Sequence, residues 1–62
     1  MTIEEAVRKA VAGDAAAAGL FADAMRSCGM NYKQIFEIVQ GIEPEVTLAK
    51  WDALLAEADH AT

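Results

Sequence analysis

Cysteine, proline, histidine and tryptophan each occur only once in this chain of 62 residues. A lone cysteine, Cys28, excludes an intrachain disulfide, and with one histidine there is no Cys/His cluster for a structural zinc. Basic residues are scarce: five Lys and Arg stand against ten Asp and Glu, a net charge of −5. Non-specific affinity for nucleic acid comes mainly from Lys and Arg on phosphates, so this balance disfavours direct nucleic-acid binding. No apolar run approaches the 18 or so residues of a membrane span. Met1 leads straight into an amphipathic segment without a charged leader, an apolar core or a cleavage site, so neither a signal peptide nor a membrane partner is expected. A reducing cytoplasm suits the single thiol. The carboxylates lack the alternating, glycine-centred spacing of a calcium loop, and no metal or cofactor is expected.

What is present is apolar and helical. The apolar fraction is 55%. A chain this short buries only about 60% of the surface it exposes when unfolded, so apolar surface is left over and stability needs reinforcement from outside the monomer. The sequence is read as one all-α domain over 1–62, a compact bundle of three to four short helices stabilised by dimerisation, with helices at about 3–12, 15–28, 32–40 and 48–59.

Each helix has a start or stop signal. Thr2 with Glu5 is a capping pair, and Ile3, Val7, Ala10 and Val11 then form one stripe. Gly13 breaks helix 1 and Asp14 caps helix 2, which Gly29 ends. Ala17, Leu20, Phe21, Ala24, Met25 and Cys28 are expected to face the core. Asn31 with Gln34 opens helix 3, whose Tyr32, Ile35, Phe36 and Val39 are assigned to the interior; Gly41 is expected to end it, with Ile42 folding back. Pro44 forces a loop over 41–46, and Thr47 caps a last helix with the stripe Leu48, Trp51, Leu54, Leu55 and Ala58. Val46 and Trp51 stand at hydrophobic-staple spacing.

Two features carry the functional expectation. Ala15, Ala18, Gly19 and Ala22 give helix 2 a second face without bulk or charge, read as a surface for a second copy or another partner, with packing inside one crowded bundle as the alternative. The charge is also uneven. Residues 1–36 sum to zero, and Glu37, Glu43, Glu45, Asp52, Glu57 and Asp59 against Lys50 place all of the net charge in 37–62. An acidic half steers a protein toward a basic surface. Glu43, Glu45, Asp52, Glu57, Asp59 and Trp51 therefore join the small-residue face as candidate partner-binding positions, Trp51 because tryptophan anchors interfaces as well as filling cores.

The expected function is a non-catalytic protein-binding module, an accessory, adaptor or inhibitor of a larger partner with a basic surface, alongside homodimerisation. In size and charge alone the chain is similar to small acidic proteins that phages and mobile elements encode against nucleic-acid-handling machinery, which raises the idea of an acidic face that mimics a phosphate backbone. The alternative is a helix-turn-helix regulator, with helices 3 and 4 in the right outline. Its last helix would then offer Lys50 against Asp52, Glu57 and Asp59, charges that repel a duplex. No catalytic residue is assigned: Cys28 ends a helix, where the macrodipole disfavours a thiolate, and His60 lies near the terminus.

Overall fold

The computed structural model describes residues 2–60, and among these all regular structure is helical: α1 (Ile3–Val11), α2 (Ala15–Ser27), α3 (Tyr32–Ile42) and α4 (Leu48–His60). The expected all-α bundle is the observed one. α2 lies at its centre, packed on one side by α1 and on another by α4.

The helix ends form as their residues dictate. Backbone amides at the start of a helix have no partner of their own, and side-chain oxygens supply one at each start. The Thr2 hydroxyl accepts from the Glu5 amide at 3.2 Å, the Asp14 carboxylate from Ala17 at 3.2 Å and the Thr47 hydroxyl from Lys50 at 3.1 Å. Asn31 and Gln34 cap each other reciprocally, both bonds at 2.9 Å. Gly13 and Gly29 hold φ values of +124° and +88°, where a side chain is strained. The chain reverses at both by the same pair of bonds. Asp14 and Gly13 donate to the Lys9 and Ala10 carbonyls, as Met30 and Gly29 donate to Met25 and Arg26.

Gly41 differs from expectation. It stays inside α3, which runs to Ile42, and the Glu43 amide closes the last turn on the Val39 carbonyl at 2.8 Å. The helix stops where Pro44 begins to restrict Glu43, so proline sets the boundary and glycine does not. Ile42 is half-buried against the core from within the helix.

The core joins Val7 and Ala10 of α1, Ala17, Ala18, Phe21 and Met25 of α2, Ile35 and Val39 of α3, Val46 of the loop, and Trp51 and Leu54 of α4. Trp51 has no exposed surface and meets Phe21 edge to face, with ring centroids 5.9 Å apart. Its indole N–H is buried and finds no hydrogen-bond acceptor among the described residues. Several residues assigned to the core lie outside it. Leu20, Ala24, Cys28, Tyr32 and Leu48 are exposed, and Phe36 is half-buried.

α2 explains most of these differences. Its buried residues, Ala17, Ala18, Phe21, Ala22 and Met25, fill one arc, and at about 100° per residue Leu20 points roughly 130° from the centre of that arc. Nearly every position from Ala15 to Met25 is apolar, so hydrophobicity alone marks no direction on this helix. Fit decides instead. The small side chains admit α4 to close range, and the larger Leu20 stays outside.

Candidate functional site

The small-residue face of α2 is covered in part by α4 within the chain, the packing that the sequence left as the alternative, and in part borders a groove. Ala18 and Ala22 are buried and Ala15 is half-buried. A Cβ on Gly19 would lie 3.0 Å from the Ala58 Cβ, tighter than most van der Waals contacts, so the missing side chain lets α2 and α4 approach. The reading of Trp51 as a partner anchor is corrected. With no exposed surface it is a core residue and cannot anchor a partner without unfolding.

Beside this contact α2 and α4 border a groove of about 410 Å³. Gly19, Ala22 and Ala58 line its floor, and Ala16, Leu20 and Leu55 supply the rest of its apolar lining. Asp23, Arg26 and Asp59 complete it. Leu20, 69% exposed, stands on the rim and also borders a second hollow of about 170 Å³ between α1 and α2, lined by Ile3, Ala6, Phe21, Ala24 and Met25. Ile3 is itself 48% exposed. One large aliphatic side chain thus stands between two apolar depressions. A leucine exposed singly is ordinary; one that joins two apolar hollows makes a continuous patch.

The carboxylates of the acidic half are not all on one face. Glu43 turns toward α1, where its Oε1 lies 3.9 Å from Arg8 Nε, and Arg8 also meets Glu4 at 3.6 Å. Asp52 accepts a hydrogen bond from the Tyr32 hydroxyl at the start of α3. Asp59 lines the α2/α4 groove. Glu57 is exposed about 140° around α4 from Asp52, and Glu45 is exposed in the loop. Mimicry of a phosphate backbone needs charges ranged along one surface; Asp52 and Asp59, seven residues apart on α4, project within about 20° of each other, whereas Glu43, Glu45 and Glu57 lie elsewhere. Of the positions singled out in the sequence, Gly19, Ala22 and Asp59 meet at one groove; Ala18 and Trp51 are interior, and Glu43, Glu45, Asp52 and Glu57 lie elsewhere.

The two arginines are also engaged. Besides Arg8, Arg26 meets Asp23 at 3.5 Å. Tyr32 is the one strongly perturbed acid: partial burial, then the hydrogen bond to Asp52 and the charge of that carboxylate, raise its hydroxyl well above the ordinary phenol range, and Arg26 opposes this in part. The Ser27 hydroxyl donates to the Asp23 carbonyl at 3.0 Å, a bond inside its own helix. Among the described residues no group of three or more His, Cys, Asp or Glu side chains is placed to hold a metal ion, and no helix is long and apolar enough to cross a membrane.

Comparison with family models, curated proteins and solved structures finds no match. The residues of the groove therefore carry the functional argument alone. Leu20, Leu55, Asp23 and Arg26 were not among the candidates from sequence. Leucines 20 and 55 could have been found only by knowing which side of α2 receives α4.

Proposed function

We propose that this chain is a non-catalytic protein-binding module that docks its partner on the apolar patch centred on Leu20, acting as an accessory, adaptor or inhibitor of a larger protein. The observation that carries it is the exposure of Leu20 between two apolar hollows, one with a volume of about 410 Å³. Burying a leucine side chain contributes roughly 1.5–3 kcal/mol, enough for one such residue to dominate a small interface. The engaged arginines weigh against the helix-turn-helix alternative. Arg8 and Arg26, two of the four basic side chains that a duplex contact through the first half of the chain would use, already face carboxylates, and α4 packs chiefly on α2 instead of forming a paired unit with α3.

The test is affinity capture from the native cell extract with the wild-type chain, with Leu20→Gln and with Lys33→Ala as a distant control. Glutamine keeps helix propensity while removing the apolar anchor. A partner retained by wild type and Lys33→Ala and lost with Leu20→Gln is the expected result. Identical capture by all three, or salt-sensitive retention on duplex DNA in place of any protein, overturns the proposal.

A further inference from the structure

We draw no further inference here: the strongest candidate, the apolar groove between α2 and α4 beside Leu20, belongs to the docking face already proposed, and with Asp23 of its lining paired to Arg26 nothing in the structure shows what covers it.

Discussion

Gly19→Ala isolates the contact that organises this bundle. In an exposed helix the change is favourable by about 1 kcal/mol, because alanine has the better helix propensity. Here the added methyl arrives 3.0 Å from the Ala58 Cβ. Neither atom sits at the end of a flexible side chain, so relief requires α2 and α4 to separate by several tenths of an ångström, and overpacking of this kind costs about 1–3 kcal/mol. Taking the middle of that range, the substitution destabilises by about 1 kcal/mol, a fall of roughly 4–8 °C in Tm for a domain of this size. Ala58→Gly alone also costs about 1 kcal/mol, through propensity. The double variant Gly19→Ala/Ala58→Gly restores the packing and exchanges one propensity for the other, so it should melt close to wild type. The coupling between the two positions is then about 2 kcal/mol, within the range seen for residues in direct contact. Thermal unfolding followed by helical circular dichroism and by Trp51 fluorescence reads the whole cycle. If Gly19→Ala raises Tm by the full propensity gain, or the two changes simply add, the helices do not meet at this point and the covering of α2 by α4 is wrong.

Other consequences are open to simpler measurements. Trp51→Ala removes the largest fully buried side chain and its edge-to-face contact with Phe21, a loss of about 3–5 kcal/mol that should leave so small a domain largely unfolded by circular dichroism. Trp51→Phe should cost much less, about 1 kcal/mol or under, because it also removes a buried N–H that has no acceptor among the described residues; a penalty equal to that of alanine would show that the indole N–H is satisfied after all. Tyr32 gives the fold an alkaline limit. Its hydroxyl titrates above the ordinary value of 10.0, so above that pH the unfolded chain loses the proton while the folded chain keeps it, and stability falls as pH rises further. Tyr32→Phe should flatten the Tm profile in that range, and an unchanged profile would count against the Tyr32–Asp52 bond. Leu20→Gln should change stability by no more than the roughly 0.5 kcal/mol typical of exposed positions, while a larger loss would place Leu20 in the core.

Local chemistry made the elements legible in the sequence. Thr2, Asp14, Asn31 and Thr47 each carry a short side-chain oxygen that can meet a free amide, Gly13 and Gly29 tolerate positive φ, and Pro44 restricts its predecessor; all act within a few residues, so their effects can be read without knowing the fold. The stripes of α1 and α3 were legible as well, since Val7 with Ala10 and Ile35 with Val39 stand against polar neighbours. α2 offered no such contrast. Helical spacing assigned Leu20, Ala24 and Cys28 to the interior, yet the interior takes Ala18 and Ala22, because burial there depends on how closely α4 can approach, a relation between residues some 40 positions apart in the chain. The same distant packing covered part of an apparently free small-residue face, sent the carboxylates of the acidic half to different neighbours, and opened the groove beside Leu20. Capping and turn geometry belong to neighbours in sequence and so were written into it; which apolar face is spare depends on side-chain volumes meeting across helices, and only the assembled bundle decides that.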